Sequence, residues 1–187
     1  MQRAPLSIGF TGHRRVGDPA GARAALDRAL QRLQAAAGCP LAAVSSAASG
    51  SDTLFVEAAL AQGLAWTLLL PFPLTEFRKD FEDADWQRVQ RLLPQAARTR
   101  VEPPQPTRED AYLACGRRTV DESDAVIAYW DGQPAAGRGG TAEIVEYVRK
   151  LQKPLLWIHA ATGEVTAERL DSVCPAARAA GPDPSLS

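Results

Sequence analysis

The feature that most constrains this chain is a regular alternation of short apolar runs with longer segments that repeat apolar residues at helical spacing. The apolar runs predict strands at residues 6–10, 41–47, 64–73, 124–132 and 154–160, and residues 98–106 predict a short strand that leads into a proline-rich loop. The intervening segments predict helices at residues 19–37, 53–62, 107–122 and 139–152, with one or two more between 74 and 94. Such alternation is typical of a parallel sheet covered on both faces. We therefore predict an α/β fold, a doubly wound and mainly parallel sheet of about six strands with a Rossmann-like arrangement.

The length of 187 residues fits one sizeable domain. We predict a nucleotide-binding domain at residues 1–160 and a C-terminal tail at residues 161–187 that is partly helical or disordered. The tail is rich in Ala, Pro, Gly and Ser, and its one periodic stretch predicts a short helix near residues 167–173.

Composition limits the classes of partner. The chain carries 21 Lys and Arg against 22 Asp and Glu, so the expected partners do not include duplex nucleic acid. No apolar run approaches membrane-spanning length, and a membrane partner is not expected either. Three widely spaced cysteines and two histidines predict no metal site and a cytoplasmic, reducing compartment.

The first predicted strand ends in the sequence TGHRR. Gly12 permits close approach of a ligand to the backbone, and the neighbouring N–H groups, with that of His13 among them, can hold an oxyanion. Arg14 can add a bidentate contact to a phosphate. The alternative is an ordinary turn followed by solvated arginines.

The second predicted strand is followed by SSAASGSD. Gly50 and the hydroxyls of Ser49 and Ser51 form a second possible anion cradle at the start of a helix. Asp52 is unsuited to direct phosphate contact, and we assign it to a helix cap or to a ribose hydroxyl. The alternative is a plain helix cap without a ligand.

The third segment, GRGGTAE, follows the strand that ends at Trp130 and Asp131. Arg138, Gly139, Gly140 and Thr141 bring a cation, backbone N–H groups and a hydroxyl to the start of a helix, where an anion is stabilised. Trp130 can stack on a base, although core packing is its more common role. Glu143 is either a favourable charge at the helix terminus or a carboxylate directed at a sugar.

These three loops share one position in the predicted fold, because each follows the carboxyl end of a strand. In open α/β sheets, ligands bind outside these ends. The combination predicts a site for a nucleotide or a nucleotide-derived signal.

With these motifs, the sequence resembles the SLOG superfamily, the Rossmann-like domains related to the LOG phosphoribohydrolases, the DNA-processing protein DprA and the YpsA-type proteins. The resemblance rests on TGHR, SGSD, LPFP with Phe77 and Asp80, and SDAVIAYWDG…GGTAE, and it covers residues 6 to about 158. It implies nucleotide-derived ligands, no further cofactor, and a homodimer or higher homo-oligomer.

The same resemblance leaves two functions open, a ligand-sensing module and a hydrolase or transferase at the N-glycosidic bond. LOG hydrolases carry a PGGxGTxxE segment, whose glutamate lies three residues after the threonine. Here Ile144 holds that position, Glu143 is one residue early, and Arg138 replaces the proline. If the protein is an enzyme, Glu143 or Asp131 supplies the reactive carboxylate. A third possibility is an architectural domain that binds no ligand tightly.

Overall fold

A computed structural model of the chain describes residues 4–134 and 138–173. Its centre is one seven-stranded sheet in the order β4-β3-β2-β1-β5-β6-β7. The strands are β1 (Leu6–Gly12), β2 (Leu41–Ser45), β3 (Ala65–Leu70), β4 (Arg98–Val101), β5 (Ala125–Trp130), β6 (Leu155–His159) and β7 (Val165–Glu168). The first six run parallel, and β7 pairs antiparallel with β6. The predicted doubly wound, mainly parallel α/β fold is confirmed.

Helices cover both faces of this sheet. They are α1 (Pro19–Ala37), α2 (Ser51–Ala61), α3 (Leu74–Phe77), α4 (Asp83–Leu92), α5 (Arg108–Asp121) and α6 (Thr141–Lys150), with short 3₁₀ turns at Arg78–Asp80, Leu93–Gln95 and Leu170–Val173. Helices α1 and α2 pack against each other, and so do α5 and α6. Alternate residues of β5 divide between these pairs, because Ile127 belongs to the apolar cluster of α1 and α2, while Val126 and Ala128 belong to that of α5 and α6. Burial on both faces explains why the strands are apolar along their whole length.

The region after residue 160 differs from the sequence prediction. Residues 165–168 form β7, where the spacing predicted the beginning of a short helix, and the helical part is one 3₁₀ turn. The guanidinium groups of Arg28 and Arg32 in α1 donate to the carbonyls of Gly163 and Val165, at 3.0 and 3.2 Å, which holds this segment to α1. A four-residue edge strand is too short to leave a readable period. The tail beyond Pro175 and Cys174 lie outside the described residues.

The chain order creates one crevice in the sheet. From β1 the chain proceeds to β2, β3 and β4 on one side, and β5, β6 and β7 lie on the other. The loops after β1 and β5 therefore leave in opposite directions, and such a switch point is where open α/β sheets bind ligands. Within the residues described, no helix is both long and apolar enough to span a membrane.

Candidate functional site

A cavity of about 790 Å³ opens at the switch point between β1 and β5. Its volume lies within the range of roughly 300–1,000 Å³ that is usual for small-molecule sites. It is lined by the loops after β1, β2 and β5, by one face of α5 and by the start of α6. Of the residues proposed from sequence, those at its wall are Gly12, His13, Arg14, Asp52, Trp130, Asp131, Arg138, Gly139, Gly140 and Thr141.

The loop after β1 is fixed to its neighbours by its backbone. The N–H of His13 donates to the carbonyl of Tyr129 at 3.1 Å, and its ring Nε2 accepts from the N–H of Asp131 at 3.1 Å. A Cβ at Gly12 would lie 2.2 Å from Oγ of Ser51, so glycine is required for this close approach. These contacts bring the ends of β1 and β5 together at the cavity.

Arg14 extends from this loop along the cavity wall. Its guanidinium lies 4.7 Å from the ring centroid of Tyr112 in α5. Two other arginines at the cavity are neutralised, since Arg108 pairs with Asp80 at 2.6 Å and Arg138 pairs with Asp110 at 3.0 Å. No described carboxylate lies within ion-pair distance of Arg14, and its charge is therefore available to an anionic ligand.

The loop after β2 has a supporting role. Ser51 donates its hydroxyl to the carbonyl of His13 at 2.8 Å, and Ser49 donates to the carboxylate of Asp85. Gly50 has a φ of +94° and packs closely against the backbone of Arg14, since a Cβ at this position would lie 2.1 Å from the carbonyl oxygen of Arg14. These three residues lie outside the cavity lining. Of the predicted cradle of Ser49, Gly50 and Ser51, the last two support the loop after β1, and Ser49 is bonded to α4 instead.

Asp52 is the residue through which α2 reaches the cavity. It is only 9% exposed, and its Oδ1 accepts from the hydroxyls of Ser45 and Ser46, both at 3.3 Å. Burial raises the pKa of this carboxyl to about 7, against the opposing effects of the two serines and Arg14. The N-cap of α2 is Gly50, and no side chain caps this helix. Asp52 therefore does not act as a helix cap, which was one of the two roles that the sequence allowed.

The start of α6 presents backbone donors to the cavity. Gly140 is the N-cap of this ten-residue helix, and Thr141 is its first residue. Within the described part of the chain, the N–H groups of Thr141 and Ala142 have no acceptor, as is usual in a first helical turn. They and the helix dipole form a favourable environment for an anion.

Glu143 turns back on its own helix. Its Oε2 accepts from the N–H of Gly139 at 2.9 Å, and its Oε1 lies 3.5 Å from the guanidinium of Arg117. Ile144, at the position of the LOG glutamate, lines the cavity, whereas Glu143 is not part of the lining. Glu143 therefore acts as a cap of the loop and as a charge at the helix terminus.

The end of β5 supplies one buried and one exposed group. Trp130 is 8% exposed, packs on Trp157 at 5.3 Å between centroids, and donates its indole N–H to the carbonyl of Gln133. Its main role is packing. Asp131 has a side chain that is 45% exposed, and the N–H of Gln133, followed by His13, lowers its pKa. Asp131 is consequently ionised at neutral pH and has no proton to donate as a general acid.

Sequence reasoning missed the contribution of α5. Tyr112 donates its hydroxyl to Asp80, and the guanidinium of Arg108 lies 4.2 Å from the ring centroid of Phe72. The cavity-facing residues of α5 recur at helical spacing, at Arg108, Glu109, Tyr112, Cys115, Gly116 and Thr119. This pattern was present in the sequence, but which face of α5 meets the cavity depends on how the helix packs. Among the described residues, no three His, Cys, Asp or Glu side chains form a metal-binding group.

The fold is shared with known structures. DNA processing protein A from Helicobacter pylori superposes with a TM-score of 0.55 at 23% identity, over 82% of this chain and 65% of that one. DprA from Streptococcus pneumoniae gives a TM-score of 0.56 at 19% identity, over 85% of this chain and 54% of that one. The Moco carrier protein of Chlamydomonas rheinhardtii gives 0.46 at 18% identity, over 84% of this chain and 77% of that one. The chain thus spans less than two thirds of either DprA structure.

These likenesses confirm a Rossmann-like fold of the kind found in the two DprA structures, as the motifs implied. No family model matches the sequence, and no curated protein matches it either.

The comparison corrects one expectation about partners. The sequence predicts a small nucleotide-derived molecule as the partner, and the net charge of -1 was the reason for leaving duplex nucleic acid out. Excluding nucleic acid in this way is wrong, because the H. pylori protein of this fold has a single-stranded DNA binding mode. Net charge describes the field of the whole molecule and is insensitive to a local site.

Proposed function

We propose that the cavity at the switch point binds a nucleotide unit, either free or as part of a single strand, and that the domain serves as a ligand-sensing module. The observation that carries this proposal is the opening of the α6 N-terminus, at Gly139, Gly140 and Thr141, into a cavity of about 790 Å³. The phosphate lies at this helix start, where N–H groups and the helix dipole stabilise an anion.

The rest of the cavity wall has the chemistry that a nucleotide requires. Arg14 and Tyr112 supply a cation and an aromatic ring, and Asp52 supplies a buried carboxyl. Arginine is well suited to phosphate because its planar guanidinium donates two parallel hydrogen bonds.

Binding without cleavage is favoured by the position of Glu143. Cleavage of an N-glycosidic bond needs a carboxylate at the anomeric carbon. The carboxylate of Glu143 is bonded to the N–H of Gly139, and Ile144 stands at the cavity wall. Under this proposal Glu143 therefore does not supply the carboxylate that cleavage needs.

The decisive experiment is a calorimetric titration with the four ribonucleoside 5′-monophosphates and with a single-stranded oligonucleotide of mixed sequence. Free nucleotides that bind and that compete with the oligonucleotide identify one shared site. Binding of the oligonucleotide alone, without competition by any mononucleotide, would assign strand recognition to another surface. An absence of binding in both arms refutes the proposed function.

Arg14→Ala should weaken binding of a nucleoside monophosphate by about 1.5–3 kcal/mol, the usual contribution of a hydrogen bond to a charged group. The matched control is Arg15→Ala, since Arg15 is exposed and lies outside the cavity lining. Calorimetry on both variants measures the effect. Equal affinities for the two variants would return Arg14 to the role of a solvated surface residue.

Glu143→Gln should leave nucleotide affinity nearly unchanged, because the glutamine oxygen still accepts from the N–H of Gly139. The lost charge at the helix start costs about 0.3–1 kcal/mol of folding stability. Neither the native protein nor the variant should release free base from nucleoside monophosphates in a chromatographic assay. Glu146→Gln is the control on the same helix. Steady release by the native protein that disappears in Glu143→Gln would establish an enzyme.

A further inference from the structure

We infer that Asp52 binds a hydroxyl of the ligand's sugar, and that the cavity therefore selects a free nucleotide or the end of a strand over an interior DNA nucleotide. This inference rests on the proposed function and deepens it. It assigns a ligand group to Asp52, whose side chain is more than nine-tenths buried and is part of the cavity wall.

The two oxygens of Asp52 have different surroundings. Oδ1 accepts from the hydroxyls of Ser45 and Ser46, which fix the orientation of the carboxyl group. No described side chain donates to Oδ2. Every fully buried side-chain nitrogen or oxygen in the described residues has a hydrogen-bond partner. Because Oδ2 has none among these residues, it is not fully buried, and it is accessible from the cavity that Asp52 lines. It is the oxygen that a ligand reaches.

A hydroxyl is the ligand group that matches this oxygen. With its pKa raised to about 7, the carboxyl is present in both protonation states near neutral pH. A phosphate only accepts hydrogen bonds and would repel the ionised form. A hydroxyl donates to the carboxylate and accepts from the carboxylic acid, and it therefore satisfies both states.

The position of Asp52 is compatible with a nucleotide whose phosphate lies at α6. Asp52 belongs to the connection after β2, and α6 follows β5, with β1 between the two strands. Two strand spacings separate them, on the order of 10 Å. A ligand that contacts both must extend across β1, as a nucleotide does when its sugar lies between the phosphate and the base.

The chemistry of the sugar then limits the ligand. A free ribonucleotide has hydroxyls at both the 2′ and 3′ positions, and the 3′ end of a DNA strand has one. An interior DNA nucleotide has neither, because its 3′ oxygen is esterified and its 2′ position carries hydrogen only. Oδ2 of Asp52 would then be covered without a partner, which is unfavourable for a buried carboxyl.

The test compares a ribonucleoside 5′-monophosphate with its 2′,3′-dideoxy counterpart of the same base by calorimetry. The native protein should bind the ribonucleotide about tenfold or more tightly, as expected for a hydrogen bond to a charged group. In Asp52→Ala this preference should fall to about onefold, and in Asp52→Asn it should shrink but persist, since the amide still bonds a hydroxyl. Glu146→Ala, an exposed carboxylate outside the cavity, should retain the full preference.

Equal affinity of the native protein for the two nucleotides would overturn the inference and leave nucleotide binding intact. A full preference in Asp52→Ala would overturn it as well. If Asp52→Ala does not fold, the preference of the native protein and its reduction in Asp52→Asn decide the question. Failure of both nucleotides to bind, by contrast, counts against the proposed function itself.

Discussion

The free energy of unfolding of Asp52→Asn, measured relative to that of the native protein, is expected to increase as the pH rises from 5 to 7. Burial raises the pKa of Asp52 from its ordinary value of 3.8 to about 7 in the folded state. The folded protein therefore retains a proton that the unfolded chain releases. The stability contributed by the protonated carboxyl is complete below pH 3.8 and is lost as the pH rises through about 7. Asparagine has no proton to lose in this range.

The size of this effect follows from linkage. Well between the two pKa values, the difference in free energy of unfolding changes by about 1.4 kcal/mol per pH unit, and the slope halves at the folded-state pKa, so the change from pH 5 to 7 is about 2 kcal/mol. Denaturant titrations of both proteins at pH 5, 6, 7 and 8 measure it, and the difference should level off above pH 7. Asp131→Asn is the control, because the pKa of Asp131 is lowered and the group is ionised throughout this range. A constant difference between Asp52→Asn and the native protein would contradict the buried, protonated state.

The sheet could be predicted from the sequence because its strands are buried on both faces. The apolar run of β3 is uninterrupted because both faces of the strand are covered. Of the two edge strands, β4 was predicted and β7 was not. β4 is exposed along its length, and β7 is a four-residue strand that pairs antiparallel through residues of mixed polarity. Their pairing depends on the neighbouring strand more than on their own composition.

The candidate site was predictable where it is formed by backbone. Gly12 indicates a close approach of the backbone, and Gly140 indicates the start of a helix. Both features are local properties of the chain. The destinations of side-chain hydroxyls and carboxylates were not predictable. Ser51 donates to His13, 38 residues earlier in the chain, and Tyr112 donates to Asp80, 32 residues earlier. Such partners are chosen by tertiary packing, which the local pattern does not encode.

Asp52 illustrates the same limit. The sequence left two roles open for it, a cap at the start of the helix, where carboxylates are common, or a contact to a ribose hydroxyl. The structure has Gly50 as the N-cap and directs the carboxyl of Asp52 to Ser45 and Ser46. Only the tertiary arrangement distinguishes a capping carboxylate from one that faces the cavity.

Gly50→Ala is expected to destabilise the protein by about 2–5 kcal/mol, because two independent costs add at this position. The first is conformational, since Gly50 has φ +94° and ψ -127°, a region that side-chain-bearing residues rarely adopt. The second is steric, since a Cβ would lie 2.1 Å from the carbonyl oxygen of Arg14 and 2.5 Å from its carbonyl carbon. Backbone atoms cannot rotate away as the end of a side chain can.

The glycine at position 38 separates these two costs. Gly38 has φ +59°, and a Cβ there would meet no heavy atom within 4 Å, so Gly38→Ala should cost only about 1–2 kcal/mol. Denaturant unfolding of the two variants gives both free energies. Gly50→Ala should also weaken nucleotide binding, because the loop of Arg14 must move away from α2 to make room for the methyl group, whereas Gly38 caps the far end of α1. If both variants lose equal stability and bind nucleotide with native affinity, the close packing of Gly50 against Arg14 does not hold the cavity loop in position.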